Sequence, residues 1–338
     1  MNRTACLLLS VALAGAACNW VSLATHSLTY RTTARGETGN LVARGSLVYA
    51  TVAEDGIAVV DGTSGRTLAT IAPPPGESID DLALADDLLF ALDARPPGRL
   101  SVYSLADPAR PRLLAGSRDV PVGPFSGIST SNGLCVVSGG TSQLTIWRYD
   151  AHGSLTGPLA TTDLGRGQPD VLLTARGVLY VSTHYSGPYF GLDVARFDSG
   201  QGRIDKLAEL PLDGAGFTEG GAKPANFPIE SALLGDDTLL VASARGVDVL
   251  DIRVAEQPRL EATIDVGGPA VNVDVSGSVA AVTVGGEVPT LVFLDFATSP
   301  PRQRRIALPV GTNPAGVALG GPRAAVAAGK PGVLFYTK

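Results

Sequence analysis

Seven times along the chain, a short polar turn is followed by a hydrophobic strand of one pattern. The copies are Gly45-Ser46-Leu47-Val48-Tyr49-Ala50, Asp86-Asp87-Leu88-Leu89-Phe90-Ala91, Asn132-Gly133-Leu134-Cys135-Val136-Val137 and Arg176-Gly177-Val178-Leu179-Tyr180-Val181. They continue with Asp236-Asp237-Thr238-Leu239-Leu240-Val241, Gly277-Ser278-Val279-Ala280-Ala281-Val282 and Gly321-Pro322-Arg323-Ala324-Ala325-Val326. Before each turn lies a small apolar stretch, such as Leu41-Val42-Ala43 or Val273-Asp274-Val275. After each hydrophobic strand comes a run with period-two alternation, such as Ile57-Ala58-Val59-Val60-Asp61 or Leu291-Val292-Phe293-Leu294-Asp295. Period two marks strands. A fourth strand follows a loop, as in Leu68-Ala69-Thr70-Ile71, Leu159-Ala160-Thr161-Thr162 and Leu260-Glu261-Ala262-Thr263-Ile264. Each unit therefore reads as a four-stranded meander with its small, apolar strand innermost.

A repeat built of strands alone closes into a ring of small sheets, because radial repetition buries the faces of neighbouring sheets and leaves only short edges. The expected fold is all-β, a seven-bladed β-propeller of four-stranded blades. The seventh unit runs out at Lys338 before a fourth strand. Ser27-Leu28-Thr29-Tyr30-Arg31-Thr32 fits the missing pattern, and pairing it beside Val333–Thr337 would cover two sheet edges. The expected division is 1–17 signal peptide, 18–26 lipid attachment and short linker, and 27–338 propeller.

The stretch Val310-Gly311-Thr312-Asn313-Pro314-Ala315-Gly316-Val317-Ala318 resembles the bacterial YVTN-type propeller repeat. Gly98-Arg99-Leu100-Ser101-Val102-Tyr103-Ser104-Leu105-Ala106-Asp107-Pro108 resembles the related LVIVD repeat. The resemblance implies the architecture and a WD40-like surface that binds or assembles with partners. It implies no particular chemistry, since one fold hosts many functions.

Charge and cysteine narrow the classes. A net charge of −6 argues against nucleic acid, whose phosphates require clustered Lys and Arg. The one basic cluster, Arg302, Arg304 and Arg305, falls on an expected outer strand and reads as a solvated face. Cys6 lies in the leader, Cys18 directly follows it, and Cys135 sits among apolar residues as a buried thiol. No zinc or disulfide spacing exists. At the N-terminus, Arg3 precedes the apolar run Ala5–Ala17, which is too short to span a bilayer. The run ends at Ala16-Ala17-Cys18, which resembles a bacterial lipoprotein cleavage box, with Gly15 where that box usually has Leu, Val or Ile. The resemblance implies lipidation at Cys18; ordinary secretion with nearby cleavage is the alternative.

Two connections exceed the regular length: His184-Tyr185-Ser186-Gly187-Pro188-Tyr189, and the stretch from Asp213 to Glu230. Strand direction puts both on one face, here called the top, beside each other. Tyr185, Tyr189, Phe217 and Phe227 offer aromatic area there, and Glu219 and Lys223 offer charge, on the kind of loop where binding residues gather. The alternative is an insertion that only packs over the junction of blades 4 and 5. A second candidate is the top mouth of the central channel, where Asn40, Asp80, Ser126, Asp170, Glu230, Asn272 and Asn313 enter the inner strands. They would form an acidic funnel or, alternatively, cap strand ends and bind water. The three histidines, His26, His152 and His184, are too dispersed for a shared metal. No G-x-S-x-G, H-E-x-x-H or phosphate loop occurs.

The expected function is non-catalytic: an exported lipoprotein, monomeric, whose top face binds an envelope protein or an extended polymer, with no cofactor, metal or nucleic acid. Its place is the cell envelope, facing periplasm or cell surface, held to the membrane by lipid alone. Asn19 after the cysteine points weakly to an outer membrane. The linker Asn19–His26 spans at most about 28 Å, so the bottom face would lie near the bilayer and the top would face partners. The alternative is a lactonase-like propeller hydrolase with a metal, using Asp80, Asp170 and Glu230 with His184 as base and Asp193 or Glu230 orienting it.

Overall fold

The computed structural model describes residues 38–338, except 53–54, 121, 123–125, 140–142, 165–167, 175, 185–189 and 213–230. Every sheet is an antiparallel meander, and among the described residues there is no α-helix. Six sheets have four strands, and the seventh has three, Gly316–Gly320, Arg323–Ala327 and Val333–Thr337. Numbered from Thr38, the sheets are seven blades of a β-propeller. The candidate closing strand, residues 27–32, lies outside the described residues.

The ring is visible in its packing. Seven apolar clusters lie one at each blade junction, and the last joins blade 7 to blade 1 through Ala318, Ala325, Val333 and Phe335 against Leu41, Val48 and Val60. Each blade therefore has both faces covered by its neighbours. That explains why second strands such as Leu88–Asp93 are buried along their whole length and read as continuous apolar runs. Outer strands keep one edge in water: Arg259–Ile264 and Arg302–Ala307 are mostly exposed. On the latter, Arg302 and Arg305 are exposed, whereas Arg304 lies 4.6 Å over the Phe293 ring and reaches the Thr337 carbonyl of blade 7.

Local chemistry sets the corners. The turns between first and second strands are two-residue hairpins in blades 1, 2, 3, 6 and 7. Asn132 and Gly133 both have positive φ, 48° and 74°, the twist that such hairpins demand. At the end of several third strands an aspartate turns the chain by accepting the amide two residues on. Asp61 receives Thr63, Asp150 receives His152, Asp198 receives Gly200, Asp251 receives Arg253 and Asp295 receives Ala297. Hydroxyl donors from Ser64 and Thr63 hold the Asp61 carboxyl down at about 2. The guanidinium of Arg253 does the same for Asp251.

Candidate functional site

The inner strands surround a cavity of about 350 Å³. Their inner edges carry amides with no strand partner, which need acceptors from elsewhere. Side chains of the preceding blade provide them. Ile128 N donates to Asp81 Oδ2 at 2.8 Å, Leu173 N to Ser129 Oγ at 3.0 Å, Val317 N to Asn272 Oδ1 at 3.3 Å and Leu319 N to Asp274 Oδ2 at 2.7 Å. Asp81 and Asp274 also accept from the next amide of their own strand, Leu82 N and Val275 N. Asn40 Nδ2 donates across from blade 1 to Asp81 Oδ1. Polar residues of the channel thus clasp inner strands together between blades 1 and 2, 2 and 3, 3 and 4, and 6 and 7.

Among the positions expected at the mouth, Asn40 lines the cavity. Asp80 is exposed, and its carboxylate accepts Ala94 N at 2.7 Å and Ser78 Oγ at 3.3 Å, holding a top loop. Its neighbour Asp81 lines the cavity instead. Asn272 is buried and turned to blade 7, Asn313 is exposed on the loop above blades 6 and 7, and Ser126 is half-buried just before the third inner strand. Asp170 lies within the inner strand Gln168–Leu173. Glu230 lies outside the described residues. Among the described residues Asp81 and Asp274, which sequence reading did not single out, are the carboxylates lining the cavity. Burial pushes the Asp81 carboxyl up to about 6, against the pull of the Ile128 and Leu82 amides and Asn40, and with added repulsion from Asp80. Burial also raises Asp274, opposed by its two amides and by the charge of Lys338 at the chain's end. Among the described residues no group of three His, Cys, Asp or Glu side chains is placed to hold a metal.

The top of blade 4 is built differently. Its strands are long: Val178–His184, Phe190–Asp198 and Arg203–Leu212. Phe190 pairs with His184 on one side and with Leu212 on the other. Both long connections therefore leave from one row of paired residues. Tyr185, Tyr189, Phe217, Glu219, Lys223 and Phe227 lie in those connections, outside the described residues, as does Cys18. Below that row Asp193 is buried and paired with Lys206 Nζ at 2.8 Å, which also holds Glu209 at 3.1 Å. Burial works against the Lys206 charge, but these carboxylates raise its pKa overall. His152 lies in a bottom loop, its amide on Asp150.

No protein-family model and no curated protein matches the chain. Solved structures do match. A streptogramin B lyase structure is 13% identical with a TM-score of 0.63, covering 90% of this chain and 95% of that one. A chain of the mitotic checkpoint complex is 11% identical with a TM-score of 0.64, covering 100% and 99%. The U3-55K structure is 12% identical with a TM-score of 0.59, covering 90% and 97%. At such identities the likeness shows the fold, and that fold occurs in a lyase and in the mitotic checkpoint complex alike.

Proposed function

We propose that this chain is a non-catalytic, exported lipoprotein whose propeller binds an envelope protein or extended polymer through the top of blade 4. The observation that carries the reading is the paired row His184, Phe190 and Leu212. It launches two long connections side by side from a stiff sheet, and rigid scaffolds with long adjoining loops are where recognition residues gather. The channel supports it from the other side: its Asp81 and Asp274 carboxylates are engaged by backbone amides, a role that assembles the ring. Lipidation at Cys18 and the YVTN and LVIVD likeness belong to this reading through the residues quoted for them.

The test uses two lipid-free baits, the chain from residue 19 and the same chain with 213–230 replaced by a short turn, each checked for folding by circular dichroism. Envelope partners captured by the first and lost by the second are the expected result. Identical captures would move the binding surface elsewhere. Alongside, Cys18→Ala is expected to release the full-length protein from membranes; retention would remove the lipid anchor from the account.

A further inference from the structure

The bottom face, opposite the long connections, is uneven around the ring. It consists of the turns between first and second strands and the connections from third to outer strands. In blades 6, 7 and 1 the turns are Gly277-Ser278, Gly321-Pro322 and Gly45-Ser46, all exposed and uncharged. Blades 2 and 5 place Asp86-Asp87 and Asp236-Asp237 there instead. Cations gather at the same end of blades 6, 7 and 1. Arg302 and Arg66 begin outer strands and are exposed. Arg304 lies over the Phe293 ring and donates to the Thr337 carbonyl. Arg323, at the foot of blade 7, donates to the Gly62 and Thr63 carbonyls of blade 1. Among the described residues Arg66, Arg302 and Arg304 form no ion pair. The acids nearby are Asp61 and Asp295, cross-strand from Arg66 and Arg302. Both turn to their own connections, Asp61 to Thr63 and Ser64 and Asp295 to Ala297. Arg44 is paired with Asp87 of blade 2, and Lys338 acts on Asp274.

We propose that the bottom of blades 6, 7 and 1 rests against the anionic headgroups of the membrane that holds the lipid. The inference rests on the lipoprotein reading above. In that reading, strand 27–32 pairs beside Val333–Thr337. Antiparallel to a strand that ends at the bottom, it starts at the bottom of blade 7, so the tether from Cys18 leaves from the middle of the basic sector. Guanidinium groups attract an anionic surface within about a Debye length, roughly 10 Å at moderate salt, and each contributes about fivefold to binding. The uncharged turns let this sector approach closely, whereas the paired aspartates of blades 2 and 5 are repelled. The ring therefore sits tilted. Blade 4, across the ring from blade 7, is raised, and its top is carried away from the bilayer.

The experiment mixes the lipid-free chain from residue 19 with vesicles of phosphatidylcholine, alone or with phosphatidylglycerol added, and reads the bound fraction by flotation at low and raised salt. Binding is expected only with phosphatidylglycerol and is expected to fall as salt rises. Arg66→Glu with Arg302→Glu is expected to weaken it by more than about tenfold. Arg203→Glu with Arg259→Glu makes the same charge change at exposed positions at the foot of blades 4 and 5, and is expected to leave most of the binding. Circular dichroism checks that each chain folds. Equal binding to both vesicle types, binding to neither, or equal losses from the two double variants would overturn the proposal. The assay involves no lipid on Cys18 and leaves 213–230 intact. Its failure is therefore distinguishable from failure of the lipoprotein reading, which Cys18→Ala release and the loop-replaced bait report.

Discussion

A glycine with positive φ is informative only where something crowds it, and the third strands supply the case. Gly246 has φ of 130°, and a Cβ there would stand 2.1 Å from the Ile264 carbonyl oxygen; Gly56 repeats the arrangement in blade 1 at 2.2 Å from Ile71. Gly246→Ala is expected to cost at least about 1–3 kcal/mol, read by urea unfolding; a loss under about 0.5 kcal/mol would show that the neighbouring strand yields. The hairpin turns were legible for the same reason: Asn132-Gly133 and Asp86-Asp87 carry the residue types that a left-handed first position accepts. The channel residues were not legible. Asp80 and Asp81 are adjacent, and a one-residue register step decides which carboxylate points into the cavity. Alternation along the short inner strand Asp81–Ala85 does not distinguish them.

Among the elements, the inner strands are the ones that need outside help. Their edge amides face the channel, and the sequence answers with Asp, Asn and Ser at matching heights of the preceding blade. Asp274 serves Leu319 and Val275 at 2.7 and 2.8 Å. Asp274→Ala leaves both amides without that acceptor and is expected to lower stability by roughly 1–2 kcal/mol, while Asp274→Asn, which keeps an acceptor oxygen, should lose less than half as much. Equal losses for the two variants would mean that packing and not acceptance is the role of this side chain. Strand identity was the most readable level, since second strands buried on both faces and outer strands exposed on one have different compositions. The buried pair of Asp193 and Lys206 was not readable in that way. It joins third and outer strands of blade 4 across a register shift between Val194 and Ala195, and no local pattern announces such a shift.

The whole molecule closes because junctions repeat seven times, and the cluster between blades 7 and 1 has the same apolar character as the other six. Architecture was legible from that repetition, whereas function was not, for repeats describe what the blades share and a binding surface is made where they differ. Blade 4 has the longest third and outer strands among the described residues, nine and ten residues, with outer strands of nine in blade 3, eight in blade 2 and six in blades 1, 5 and 6. On the proposed reading, this departure marks the face used for recognition. The direct measurement is in-cell photocrosslinking with a photoreactive residue placed at Ser186, two residues after His184 in the chain, or at Asp237, in the turn between Leu234 and Thr238. A discrete adduct at Ser186 and none at Asp237 is the predicted result. An adduct at Asp237 alone would contradict the account and put the partner on the opposite face.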